Sequence, residues 1–345
     1  MLYSFIRPAL FLADAETAHG LSLATLRLLP SRPAPINSIL SQKVAGLDFP
    51  NPVGLAPGYD KNAEVYQATY GLGFGFVEVG TVTPRPQSGN PRPRLFRLVE
   101  DRAVINRMGF NNDGMEVVAA RLEATPIARL SGPLGINVGA NKDSDDRTAD
   151  YVTAIKRLAK LADYVTVNIS SPNTPGLRAL QDKAALDDLL ARVMETTPLG
   201  KPVFLKVAPD LEPADIDDIA ASVIEFKIAA LIVSNTTIER PAMRSLHAAE
   251  TGGLSGAPLR DLAQQRLIDF RKATGGAVPL IGVGGISTAA DAYARIKAGA
   301  SLLQLYSALV YEGPTLARRI NEGLAALLTR DGFANLADAV GVDTF

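Results

Sequence analysis

The chain has 345 residues, 47% hydrophobic and 21% charged, a balance that supports a large buried core and excludes disorder. Its formal net charge of -1 gives no electrostatic pull toward nucleic acid, so no nucleic-acid partner is expected. With no cysteine and only two histidines, His19 and His247, the chain offers no disulfide, thiolate metal site, iron–sulfur cluster, cysteine base or histidine-rich metal centre.

The first dozen residues are apolar but broken by Arg7 and Pro8. They lack the basic leader and cleavage site of a signal peptide and are too short to span a bilayer. Asp14 is a natural N-cap for a second helix over 15–29, with Ala18, Leu21, Ala24, Thr25 and Leu28 on one face. Pro30-Ser-Arg-Pro-Ala-Pro35 then ends that helix and forms a stiff linker. Residues 1–35 therefore read as a helical hairpin and linker, and 36–345 as the main domain. Two uses of the hairpin stay open. Its apolar face packs on the main domain, or it lies at a membrane surface with Arg7, Arg27 and Arg32 flanking it.

Residues 36–49 read as a short β-hairpin on the floor of the main domain. Beyond them, apolar β-rich runs fall at 52–56, 76–81, 134–138, 164–169, 203–207, 230–234, 280–283 and 302–306. Helical periodicity fills 147–161, 213–226, 259–274, 288–298 and 315–328 between or after them. Continuous apolar strands separated by helices predict a parallel sheet, and eight such units predict a (β/α)8 TIM barrel with an N-terminal two-helix extension. An open doubly wound sheet is the alternative, but no Gly-x-Gly-x-x-Gly follows the first strand.

Polar residues gather where such a barrel carries its chemistry, at the C-terminal strand ends. Gly282-Val-Gly-Gly-Ile-Ser287 follows strand seven, a helix begins near Thr288, and Tyr306-Ser307 follows strand eight. Together with Gly252-Gly-Leu-Ser-Gly256, these segments suit a phosphate, unless the glycines merely serve turns. Lys61 and Lys206 are candidate ligands for a carboxylate or an electron-rich ring; the alternative is a pair of snorkelling surface lysines. Asn106, Asn137, Asn168, Asn173 and Asn235 offer the mixed donors and acceptors that a planar heterocycle needs.

The motifs Gly54-Leu-Ala-Pro-Gly-Tyr-Asp-Lys61, Glu78-Val-Gly-Thr-Val-Thr-Pro-Arg-Pro-Gln87 and Asn106-Arg-Met-Gly-Phe-Asn-Asn112 resemble those of dihydroorotate dehydrogenases. So do Asn168-Ile-Ser-Ser-Pro-Asn-Thr-Pro-Gly176, Lys206-Val-Ala-Pro-Asp210, Asn235-Thr-Thr237 and Gly252-Gly-Leu-Ser-Gly256. The likeness spans nearly the whole chain. A serine where soluble members carry cysteine, together with the N-terminal extension, resembles the class 2, quinone-dependent and membrane-associated branch.

The resemblance implies FMN-dependent oxidation of (S)-dihydroorotate to orotate in pyrimidine biosynthesis, with a ubiquinone-type acceptor and no iron–sulfur partner subunit. It implies that FMN binds at Ala56, Pro57, Gly58, Thr81, Asn137, Asn168, Lys206, Ser234, Gly256, Gly285, Tyr306 and Ser307. Substrate would meet Lys61, Asn106, Arg107, Met108, Gly109, Phe110, Asn168, Asn173, Asn235 and Thr236. Ser171 would take the C5 proton while the C6 hydride passes to flavin N5. A hydroxyl is a weak base, so Thr174 and water are expected as its relay. Pro57 stands where many relatives have alanine and Ser234 where some have threonine, and Pro57 removes a backbone donor.

His19 and Arg97 are the expected polar contacts for quinone in a tunnel through the hairpin, and 173–183 the expected lid. Peripheral attachment at the cytoplasmic face of a bacterial inner membrane follows from the same likeness. Two other readings use the same residues: a sugar-phosphate aldolase or isomerase with a Schiff base on Lys206, and a non-catalytic flavin-binding or membrane-scaffold protein.

Overall fold

The computed structural model describes residues 2–29, 33, 36–125, 127 and 130–344. Helices α1 (Leu2–Leu12) and α2 (Ala15–Arg27) lead the chain, followed by the antiparallel pair β1 (Gln42–Val44) and β2 (Leu47–Phe49). Next come β3 (Val53–Leu55), α3 (Tyr66–Tyr70), β4 (Phe76–Val82), β5 (Leu95–Leu98), β6 (Ala103–Asn106) and α4 (Met115–Glu123). The middle of the chain carries β7 (Leu134–Val138), α5 (Arg147–Leu158), β8 (Tyr164–Asn168), α6 (Lys183–Thr196), β9 (Val203–Val207), α7 (Pro213–Glu225) and β10 (Ala230–Val233). It finishes with β11 (Gly253–Gly256), α8 (Arg260–Ala273), β12 (Leu280–Val283), α9 (Ala289–Lys297), β13 (Ala300–Leu305), α10 (Ser307–Glu312) and α11 (Leu316–Arg330).

Eight parallel strands close in the order β10-β12-β13-β3-β4-β7-β8-β9. Direct pairing of β13 with β3 seals the ring, so the expected TIM barrel is present and the open sheet is not. Four strands stop one residue short of expectation, at Leu55, Asn168, Val233 and Leu305, and the last begins two residues early at Ala300.

Period-two alternation builds the interior. Phe76, Tyr164, Phe204, Ile232, Ile281 and Leu302 form an apolar layer with Val44 and Phe49 of the β1–β2 floor. Their neighbours Val77, Val165, Leu205, Leu231, Leu280 and Leu303 belong to the outer core packed with the helices. Room for the aromatic layer comes from missing side chains. A Cβ on Gly54 would stand 2.3 Å from the Phe76 ring, and one on Gly135 would stand 2.2 Å from that of Tyr164. Further along the same strands stand Glu78, Lys206 and Gln304, one step on, and Asn168, two steps on, so an apolar floor gives way to a polar mouth.

Three features depart from expectation. First, β5, β6 and β11 form a separate antiparallel sheet that strand-by-strand periodicity does not reveal. Residues 253–256 of the glycine run supply its edge strand, and Gly256 still reaches the cavity. A Cβ on Gly253 would lie 2.0 Å from Thr236 Oγ1, and one on Gly256 would lie 2.5 Å from the Arg102 carbonyl oxygen. Second, Asp14 caps α2 as expected, accepting from the amides of Glu16 and Thr17, but α2 turns a different face to the barrel. Ala15, Ala18, His19 and Ser22 are half-buried and Leu26 is buried, while Leu21 and Leu28 are exposed. Polar tethers override the apolar stripe: Arg94 grips Glu16, and Ser22 Oγ lies 3.1 Å from Tyr59 Oη. Third, α2 ends at Arg27, and the expected linker lies outside the described residues except for Pro33, as does Arg32. Among the described residues no helix is long and apolar enough to cross a membrane.

Candidate active site

A cavity of about 620 Å³ lies at the C-terminal ends of the barrel strands and continues between α1 and α2. Its wall includes Ala56, Pro57, Gly58 and Thr81 after the first strands, and Ser234, Tyr306 and Ser307 after later ones. The expected polar rim and the hairpin thus share one space.

After β12 the backbone offers a candidate anion seat. Gly284 and Gly285 adopt φ of +102° and +71°, and a Cβ on Gly285 would stand 2.4 Å from Arg260 Cα. Arg295 Nη2 donates to the carbonyl oxygens of Gly284 (2.8 Å) and Arg260 (2.7 Å), while Arg260 Nε donates to that of Gly285 (3.1 Å). A trans peptide sets its N–H opposite its C=O, so the N–H groups of Gly285 and Ile286 point away from both arginines. Gly285 and Ile286 both line the cavity, so these two donors lie at its wall. Asp291 holds the following turn through the Ser287 and Thr288 amides, with Thr288 as N-cap of α9.

Both expected lysines reach the cavity. Neither Nζ makes a hydrogen bond or ion pair with a described residue. Burial pushes the Lys61 ammonium down to about 8, against the pull of Glu16. Burial also lowers Lys206, and Glu78 opposes that shift. Such under-compensated cations bind an anion or an electron-rich ring edge.

The segment after β8 brings the amides together. Ser171 is 5% exposed and lines the cavity, its Oγ accepting from the Asn173 amide at 3.2 Å. Asn173 Nδ2 donates to Asn106 Oδ1 (3.2 Å), and Asn235 Nδ2 donates to Ser170 Oγ (2.9 Å). Thr174 Oγ1 is buried without a hydrogen-bond partner among the described residues. The expected lid is anchored here: Arg178 pairs with Asp210 (2.7 Å) and donates to the carbonyls of Ser170 and Thr236.

On the hairpin side, His19 packs edge-on against Tyr59 at 5.2 Å and beside Tyr306 at 6.3 Å. Burial, helped by the Lys61 charge, pushes its imidazole down to about 4, so it is neutral at pH 7 and presents one donor and one acceptor. Arg97 lies 4.7 Å over the Phe11 ring and donates to the carbonyls of Leu10 and Ala13, thereby fastening the hairpin.

Three expected residues sit off the cavity wall, Thr174 among them. Arg107 stacks on Phe96 at 4.6 Å and pairs with Glu250 at 2.7 Å, pointing away while Asn106, Met108, Gly109 and Phe110 line the space. Asn137 is fully buried behind Thr81 and Asn168, holding both through its Oδ1. Residues not anticipated from the sequence include Glu78, Ser170, Ser255, Gln304 and Arg295. A buried charge at a strand position, such as Glu78 within an otherwise apolar run, is the one cue that marked any of them.

The model of the family described as "Dihydroorotate dehydrogenase" matches residues 39–328. The dihydroorotate dehydrogenase (quinone) of Novosphingobium aromaticivorans is 63% identical over 98% of this chain and 99% of its own length. That of Erythrobacter litoralis is also 63% identical, over 99% of each chain. The crystal structure of the Eimeria tenella enzyme in complex with ferulenol superposes with a TM-score of 0.91 at 42% identity, covering 96% of each chain. Barrel, cavity and relatives agree over nearly the full length, and the chain belongs to the dihydroorotate dehydrogenase family, in its quinone-dependent class.

Proposed function

We propose that the cavity binds FMN with its phosphate on the Gly285 and Ile286 amides and its ring beside Lys206, Thr81, Asn168 and Ser234. The donor set fits that group: a candidate anion seat after β12, a buried Lys206 ammonium without a partner among the described residues, and Gln304 Oε1 buried without a partner. Ala56, Pro57, Gly58, Gly256, Tyr306 and Ser307 complete the walls, and Asn137 acts from behind them. Bound there, FMN supplies the hydride acceptor for oxidation of dihydroorotate to orotate.

Substrate lies on the Ser171 side. Lys61 meets its carboxylate, and Asn106, Asn173, Asn235 and Thr236 address the pyrimidine edge. Phe110 closes the face, and Arg107 holds the 106–110 turn from outside. Ser171 Oγ accepts the C5 proton and passes it along Thr174 and water. The unpartnered Thr174 hydroxyl and the near-complete exclusion of solvent from Ser171 support this assignment.

Residues 1–35 form the access module for a ubiquinone-type acceptor, and 36–345 the catalytic barrel. Phe5, Leu12, Leu21 and Leu28 are exposed on the hairpin, 80%, 90%, 54% and 85% respectively, which suits peripheral docking of this end on a membrane. His19 and Arg97 flank the cavity beneath them and are the polar contacts for quinone. The observation that carries the reading is the shared cavity, which joins the hairpin's apolar walls to Ser171, Lys61 and the anion seat.

Anaerobic addition of dihydroorotate to the yellow protein is expected to bleach it, and quinone to restore the colour. Ser171→Ala is expected to keep FMN and slow bleaching by at least about a hundredfold, in line with loss of a positioned base. Normal bleaching by that variant rejects Ser171 as base.

A further inference from the structure

We infer that Glu78 sets the direction of the hydrogen-bond chain around the substrate rim, and so acts as a positioning residue for the ligands that the proposed function places there. The inference rests on that reading. Glu78 has no solvent exposure and stands inside the barrel below the mouth. Three donors converge on its carboxylate: Asn137 Nδ2 on Oε1 at 2.8 Å, with Gln304 Nε2 (2.7 Å) and Tyr164 Oη (3.2 Å) on Oε2.

A carboxylate only accepts, whereas an amide has one donating and one accepting end. Asn137 must therefore turn its Oδ1 toward the mouth, where it accepts from Thr81 Oγ1 (2.6 Å) and Asn168 Nδ2 (3.1 Å). Asn168 in turn presents its own Oδ1 to the Ser170 amide (3.3 Å) and hydroxyl (2.9 Å). With its proton committed, Ser170 Oγ accepts from Asn235 Nδ2, and Asn235 Oδ1 accepts from the Thr236 amide at 2.8 Å. Reversing any one amide sets donor against donor at the next link. The same carboxylate holds Gln304 by its nitrogen, leaving Oε1 as an acceptor for a ring N–H. One buried acceptor thus orders side chains on β4, β7, β8, β13 and the loop after β10.

The isosteric Glu78→Gln variant brings a donor into the place where three donors meet. In the FMN-loaded enzyme, orotate affinity, read from flavin absorbance, is expected to fall about tenfold, the effect of one misdirected hydrogen bond. The flavin potential is expected to move positive, because a buried negative charge near the ring is lost. A merely structural glutamate lowers the melting temperature and leaves both readouts in place, and that result overturns the inference. Should Glu78→Gln fail to accumulate as holoenzyme, Asn137→Ala cuts the same link from a side chain off the cavity wall. The tenfold loss is expected there too, and its absence is equally fatal. Failure of the wild-type protein to bleach overturns the functional reading instead, so the two failures are distinguishable.

Discussion

Among the contacts that hold the hairpin to the barrel is one mostly buried charge pair, and its removal has a calculable effect. Arg94 clasps Glu16 of α2 with two hydrogen bonds, Nη2 at 2.7 Å and Nε at 3.1 Å, with side-chain exposures of 7% and 14%. Arg92 adds a third contact at 3.0 Å from an exposed position. Glu16→Ala leaves Arg94 Nη1 on the carbonyls of Ser88 and Asn90 but strips Nε and Nη2 of their acceptor. Breaking a buried pair from one side costs roughly 3–5 kcal/mol, and water entering beside the slightly exposed Glu16 position places this case near 3. At 1.4 kcal/mol per decade, the undocked hairpin becomes about a hundredfold more populated. Tyr3 on the Val310 carbonyl and Arg7 on the Tyr311 carbonyl still hold α1, so the loss concentrates on α2. Native-state hydrogen exchange is expected to show α2 protection reduced about a hundredfold while the barrel strands are unchanged. A change in α2 below about threefold refutes the clamp. The pH dependence has a definite sign. The Arg94 hydrogen bond leads the interactions that hold the Glu16 carboxyl below its ordinary 4.5, so its contribution is complete above that pH. It is lost as pH falls through the lower folded value, so the Glu16-dependent part of the α2 protection factor should disappear under that acidification.

Gly285→Ala forces a side chain into left-handed backbone, which costs about 1–2 kcal/mol before the overlap with Arg260 is counted. FMN affinity of the apoprotein, measured by quenching of flavin fluorescence, is expected to fall at least about tenfold; unchanged affinity moves the phosphate elsewhere. His19 is expected to stay neutral down to about pH 4. Imidazole NMR shifts, assigned with a His247→Gln variant, test this directly, and protonation above pH 6 contradicts the buried placement. Because the folded imidazole resists its proton, stability should decline as pH drops from 6.5 toward 4.

Local pattern determined much of this protein. Eight apolar runs, each at a register where every second side chain faces inward, specify a parallel barrel, and the polar residues at their ends specify its mouth. With no cysteine in the chain, the family resemblance pointed to Ser171 as the expected base. These properties are legible because they depend on neighbours a few residues apart. The direction of α2 was not, since its docking is decided by Arg94 and Tyr59, side chains of distant segments that outweigh a stripe of leucines. Nor was the small sheet that pairs Gly253 with Asn106, whose partners meet only after the barrel has closed. The same holds for Glu78: its place in the chain marks an odd charge in a strand, and its consequence for Asn137, Asn168 and Asn235 exists only where four strands converge. Sequence alone supplied most of the chemical inventory of the mouth. Tertiary structure decided which end of each amide faces which neighbour, because a hydrogen bond has a direction that composition does not carry.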